Sequence, residues 1–164
     1  MLGLNASQHD KQAPKPFDPL VVRVGVLIFD CPLGAPKRQG CPDTMFILDH
    51  CGVPDIAGGG YETWSKDMAD LSKRPNIAVK ISGITAYAKP DWTLDTLRPY
   101  FETAIDKFGW ERVVWGSDSP VCTLQSSLDQ WVAATHALLA GATTEERAKL
   151  LHLNAFRVWK VIAR

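Results

Sequence analysis

Asp118 ends the run Val113-Val114-Trp115-Gly116-Ser117-Asp118, and His50 ends the run Phe46-Ile47-Leu48-Asp49-His50. Each run is a short apolar stretch that gives way to small or polar residues, the pattern of a buried strand with a polar tip. A carboxylate and an imidazole at equivalent strand ends suit hydrolysis. The acid takes a proton from water, and the imidazole faces the carbonyl oxygen or helps to hold a cation as charge develops. Taken singly, each residue has a structural reading as well: an aspartate after a strand caps a helix or forms a turn. Two further polar residues lie on the segment Ile77-Ala78-Val79-Lys80-Ile81-Ser82. Ser82 occupies its tip, and Lys80 alternates with apolar neighbours, so both are candidate substrate contacts.

The elements that position these residues follow from periodicity. Strands are expected over 46–50, 77–82 and 112–115, where apolar and β-branched residues cluster between turn formers. Helices are expected over 61–73, 94–108, 128–139 and from Thr143 to about Lys160, the first carrying Trp64, Met68 and Leu71 at spacings of four and three. Pro99 fits the second helix only if it falls in the first turn. Thr143 and Glu146 have the spacing of a reciprocal cap. His50, Ser82 and Asp118 are separated by 32 and 36 positions, the length of a strand–helix unit. Repeated units of that length make a parallel sheet with right-handed crossovers. Part of a (β/α)8 barrel and a small doubly wound sheet both satisfy this, and both bind ligands at strand C-termini.

Before Thr44 the texture differs. Residues 1–19 are polar and proline-bearing, 20–30 (LVVRVGVLIFD) read as a buried strand, and 31–43 hold three prolines and two glycines. The run Gly58-Gly59-Gly60 lacks the spacing and the Lys-Ser/Thr of a phosphate loop and reads as a flexible connection. Trp64, Trp92, Trp110, Trp115, Trp131 and Trp159 read as packing aromatics, and Arg157 as a structural ion-pair partner.

Composition narrows the function classes. Eighteen basic residues balance eighteen acidic ones, which removes the electrostatic footprint of a nucleic-acid or anionic-membrane binder. No apolar run is long enough to span a bilayer. No two of the four cysteines have the spacing of a zinc knuckle or redox dithiol, and a cytoplasmic protein with reduced thiols is expected.

The segments FILDHCG, PNIAVKISGI, RVVWGSDSPV and LLHLNAFRVW resemble, in order and spacing, the C-terminal half of the amidohydrolase-related family, in its lactonase and decarboxylase branch. The resemblance implies an α/β fold: a partial (β/α)8 TIM barrel, its last three to four βα units, over residues 44–164. Residues 1–43 then form an irregular segment, disordered or read from a shifted frame. It implies hydrolysis of a lactone or similar cyclic ester of a sugar acid or dicarboxylate, with Asp118 as general base and then acid. His50 becomes a metal ligand or polarising group. The family places a His-x-His pair on its first strand, whereas the histidines here are His9, His50, His136 and His152. A divalent metal such as zinc is therefore implied for full-length relatives, with His50 and Asp118 as ligands only if the missing N-terminal ones are supplied. Tight binding to this chain alone is not expected. The expected partner is a small-molecule substrate. The alternatives are a decarboxylase, an inactive half-barrel that self-associates through exposed strand edges, and a small doubly wound binding domain.

Overall fold

A computed structural model describes residues 26–27 and 45–160. Expectations for the rest of the N-terminal segment, including its reading frame and disorder, lie outside these residues. Four strands, β1 (Val26–Leu27), β2 (Phe46–Leu48), β3 (Ile77–Ile81) and β4 (Val113–Trp115), form one sheet in that order. β2, β3 and β4 run parallel, in register Leu48 to Val79 and Lys80 to Val114. The crossovers are α1 (Tyr61–Ser72) and α2 (Leu94–Phe108), as the spacing of the strand tips predicts. β1 departs from the pattern. It pairs antiparallel with β2, Val26 opposite Leu48, and so stands outside the strand–helix repeat.

Beyond β4 come α3 (Leu128–Leu138), α4 (Thr144–Ala148), a π-helical turn (Lys149–Leu153) and α5 (Asn154–Lys160). The expected single last helix is thus interrupted by one wide turn. Thr143 caps it, taking the Glu146 N–H at 3.2 Å while a Glu146 carboxylate oxygen takes the Thr143 N–H at 2.8 Å. Pro99 lies in the second turn of α2 rather than the first. It is tolerated there because Pro99 and Asp95 are both exposed, so water can satisfy the carbonyl that loses its N–H partner.

Strand alternation divides the buried side chains between two faces. Leu48, Val79, Ile81 and Val113 pack with Trp64, Met68 and Leu71 of α1, Leu97, Phe101 and Phe108 of α2, and Trp131 of α3. Ile47, Ala78 and Val114 point the other way and meet Val158 of α5. Both faces are apolar, the usual state of parallel strands, and each large side chain removed from water contributes about 1.5–3 kcal/mol. Three polar ties fix the framework. Asn154 Nδ2 donates to the Trp110 and Val113 carbonyls at 2.6 and 2.7 Å, fastening α5 to the start of β4. Arg112 donates to the Ser72, Arg74 and Ile77 carbonyls, closing the turn between α1 and β3. Trp115 stacks on Trp131 and donates to Thr135 Oγ1 at 2.9 Å, which seats α3 against β4. Arg157 meets Glu111 at 3.7 Å, the structural pairing expected of it.

Candidate active site

The alternation that makes the inner face apolar at its base makes it polar at its tip. From β2 it presents Ile47 and then Asp49; from β3, Ala78, Lys80 and Ser82; from β4, Val114, Gly116 and Asp118. His50 does not belong to this series by strand geometry. It reaches the site because β2 ends at Leu48 and the chain turns through left-handed conformations at His50 (φ 50°) and Cys51 (φ 51°). Asp118 is left-handed too, at φ 56°. Such backbone costs a non-glycine residue roughly 1–2 kcal/mol and persists where the surroundings over-determine it.

His50 stands between two carboxylates. Its Nδ1 is 3.0 Å from Ser82 Oγ and 3.4 Å from Asp118 Oδ1, and its Nε2 is 3.7 Å from Asp49 Oδ2. Asp49 Oδ1 in turn meets Lys80 Nζ at 2.6 Å, an ion pair without the alignment of a hydrogen bond. Asp118 Oδ2 is buried and accepts no hydrogen bond from the described residues. Burial raises the Asp118 carboxyl above the usual carboxylate range; His50 and Lys80 pull against the shift, and Asp49 adds to it. A buried carboxylate with one free oxygen and a raised affinity for protons has the properties of a general base.

Two glycines make room for this cluster. A Cβ on Gly83, whose φ is +68°, would lie 2.7 Å from Asp118 Oδ2 and 3.1 Å from His50 Nδ1. A Cβ on Gly116 would lie 2.8 Å from Lys80 Cε and 3.3 Å from Ser82 Cβ. Nearby, Tyr87 is half-buried, and burial, with the charges of Asp118 and Asp49 added, raises its hydroxyl so that it stays a neutral donor. Cys51 is wholly buried, and its thiol is pushed up to about 12, which leaves it unreactive. Its carbonyl accepts the Trp64 indole N–H at 2.7 Å.

All four residues singled out in the sequence, His50, Lys80, Ser82 and Asp118, therefore converge. Ser82 is fully buried with its hydroxyl against His50, and Lys80 keeps about a quarter of its side chain exposed. Sequence reasoning missed Asp49, Gly83 and Gly116. Counting every second residue back from Ser82 and Asp118, and forward from Ile47, finds Gly116 and Asp49. Gly83 carries no such signal. His136 and His152 are exposed on α3 and the π turn, and His9 lies outside the described residues. As a test of the implied metal, no three histidine, cysteine, aspartate or glutamate side chains among the described residues converge on one point. His50 and Asp118 supply two donors where catalytic zinc takes three, and Asp49 is held by Lys80. These residues alone do not fit a zinc site. No helix of the described residues is long and apolar enough to cross a membrane.

Two outcomes follow from this geometry. Gly83→Ala should destabilise the fold by about 1–2 kcal/mol in urea unfolding, from left-handed strain and displacement of Asp118; a loss below about 0.3 kcal/mol would show that the loop is not packed against the site. The raised Asp118 pKa also has a definite sign. Its stabilising contribution is fully present below the unfolded value of about 3.9 and is lost as pH rises through the higher folded value. Asp118→Asn should therefore gain stability relative to the parent as pH rises across that window. A difference that is flat with pH, or that runs the other way, would contradict the assignment.

Residues 38–161 match the family model described as amidohydrolase. The uncharacterized protein y4mH of Sinorhizobium fredii is 38% identical over 120 residues, which are 73% of this chain and 40% of that protein. An L-fucono-1,5-lactonase of Burkholderia ambifaria is 39% identical over 83 residues, 51% of this chain and 29% of the lactonase. Among solved structures, an amidohydrolase from Burkholderia multivorans with bound zinc superposes with a TM-score of 0.68 at 26% identity, covering 71% of this chain and 44% of that one. The chain thus spans less than half the length of these relatives. With its parallel strand–helix units and a family match over most of its length, the chain belongs to the amidohydrolase family.

Proposed function

We propose that residues 44–164 are the last three to four βα units of a (β/α)8 barrel, and that the site hydrolyses a lactone or similar cyclic ester of a sugar acid or dicarboxylate. The observation that carries this is the buried, unpartnered Asp118 Oδ2 beside His50 at the tips of parallel strands. The lactonase from Burkholderia ambifaria, similar over half of the chain, supports the substrate class.

In this reading water enters against Asp118. The Asp118 carboxylate takes a proton as the water oxygen bonds to the lactone carbonyl carbon. The ring C–O bond then breaks, and Asp118 returns the proton to the departing oxygen, giving the open hydroxy acid and the original carboxylate. Ser82 holds the imidazole of His50 in place beside the reacting carbonyl. Lys80 offsets the charge of Asp49, so that the two carboxylates flanking His50 do not both repel an approaching carbonyl oxygen, and its exposed part faces the substrate. His50 and Asp118 would serve as metal ligands only if the missing N-terminal ligands were supplied, and no step above depends on a metal.

A second reading rests on a separate observation. Val121, Leu124 and Leu128, just beyond β4, are 42, 68 and 40% exposed. Apolar surface at the end of an edge strand favours association, so an inactive half-barrel that pairs with another copy is the rival. The deciding experiment is hydrolysis of L-fucono-1,5-lactone followed by proton release, with sedimentation at several concentrations alongside. The hydrolase reading predicts turnover that falls roughly 100- to 10,000-fold in Asp118→Asn, with KM little changed. Turnover within twofold of the parent in that variant, or no turnover from a concentration-dependent oligomer, would overturn it.

A further inference from the structure

Gly58 and Gly59 of the Gly58-Gly59-Gly60 run, which the hydrolytic site does not use, line a concavity. The β2–α1 and β3–α2 connections enclose an open cleft of about 510 Å³, lined in part by Ile56, Gly58, Gly59, Lys89, Asp91 and Trp92. That volume lies within the range of small-molecule sites. The glycines are no phosphate cradle, because their amides are already used. The Gly58 N–H donates to Asp55 Oδ1 at 2.8 Å, Gly59 to the Ile56 carbonyl at 3.2 Å, and Gly60 to the Asp55 carbonyl at 2.8 Å. Nor is the turn loose, since these three bonds fix it. Its lack of side chains follows from the turn itself: a Cβ on Gly58 would strike the Asp55 carboxylate at 2.2 Å, and Gly59 has φ +76°.

The rest of the wall is equally well anchored. The Ala57 N–H donates to the Tyr87 carbonyl at 3.0 Å, tying the two connections together. The indole N–H of Trp92 donates to the Gln125 carbonyl at 3.0 Å, which fixes the ring. With its N–H so engaged, Trp92 offers the cleft an apolar surface. Lys89 and Asp91 are exposed, and neither takes part in an ion pair among the described residues. One supplies donors and the other acceptors, and their charges cancel.

We propose that this cleft binds a neutral polyhydroxylated ligand of monosaccharide size, its C–H face against Trp92 and its hydroxyls on Lys89 and Asp91. A fixed aromatic beside a donor and an acceptor matches the two-sided surface of such a molecule. An anion or a cation gains little from a pair of opposite, freely solvated charges. The β3–α2 connection begins at Gly83, packed on Asp118 and His50, and ends at Trp92, so the cleft and the hydrolytic site share the strand-tip face. The proposal deepens the lactone-hydrolase reading, as a place for the hydroxylated part of a sugar lactone, and depends on it only for that placement.

The test is titration of the full chain with L-fucose, followed by amide and indole NMR shifts, in the parent, in Asp118→Asn and in a Lys89→Ala/Asp91→Ala double variant. The expected result is saturable shifts at Gly58, Gly59 and the Trp92 indole at millimolar sugar, unchanged in Asp118→Asn. The double variant should weaken binding about fivefold or more at an unaltered melting temperature. The proposal is overturned by an absence of saturable shifts up to about 100 mM, by shifts confined to His50 and Asp118, or by equal binding in the double variant. Because no turnover is read, failure of the hydrolase reading leaves this result interpretable, and failure here leaves the hydrolase reading standing.

Discussion

Burying the Asp118 carboxyl beside His50 is costly, and the remaining structure makes it possible. An ionised carboxylate with an unpartnered oxygen is unstable in an apolar setting, and left-handed backbone at both residues adds to the cost. The compensation is ordinary packing. The large side chains between the sheet and α1, α2 and α3 hold β2, β3 and β4 in one parallel register. That register fixes which residues meet at the tips. The energy that creates the site therefore resides in residues that take no part in its chemistry.

Within the cluster, charge is graded rather than simply paired. Two carboxylates flank one imidazole, and the Lys80 ammonium sits on Asp49. Asp49 is thereby offset, while Asp118 keeps a free oxygen and a raised proton affinity. Burial raises Asp118 against the pull of His50 and Lys80, while Lys80 reaches Asp49 across the space that Gly116 leaves open and Gly83 lets Asp118 and His50 approach each other.

The sequence carried much of this. The apolar run along Ile77–Ile81, broken by Lys80, and the 32- and 36-residue spacing of the tips made the parallel units and the meeting of His50, Ser82 and Asp118 legible. Caps such as Thr143 with Glu146 were readable because they depend on neighbours along the chain. What was not legible depended on backbone conformation. β2 looks two residues longer than it is, because nothing local announces the left-handed turn at His50 and Cys51. Asp49 was overlooked since it reads as a strand residue until the partner strand brings Lys80 to it. The π turn at Lys149–Leu153 lies inside an unbroken helical pattern and has no compositional mark. The antiparallel pairing of Val26–Leu27 was equally hidden, since an apolar run reveals a strand but not its direction.

The measurement that bears most directly on the site is a double-mutant cycle in unfolding free energy between His50→Asn and Asp118→Asn. The two side chains are 3.4 Å apart and share Ser82 and Gly83 as neighbours, so their effects should not add. A coupling energy of about 1 kcal/mol or more, of the size found for contacting pairs, is predicted at neutral pH. Additivity within about 0.3 kcal/mol, the behaviour of residues that do not touch, would mean that the two strand tips do not form one site.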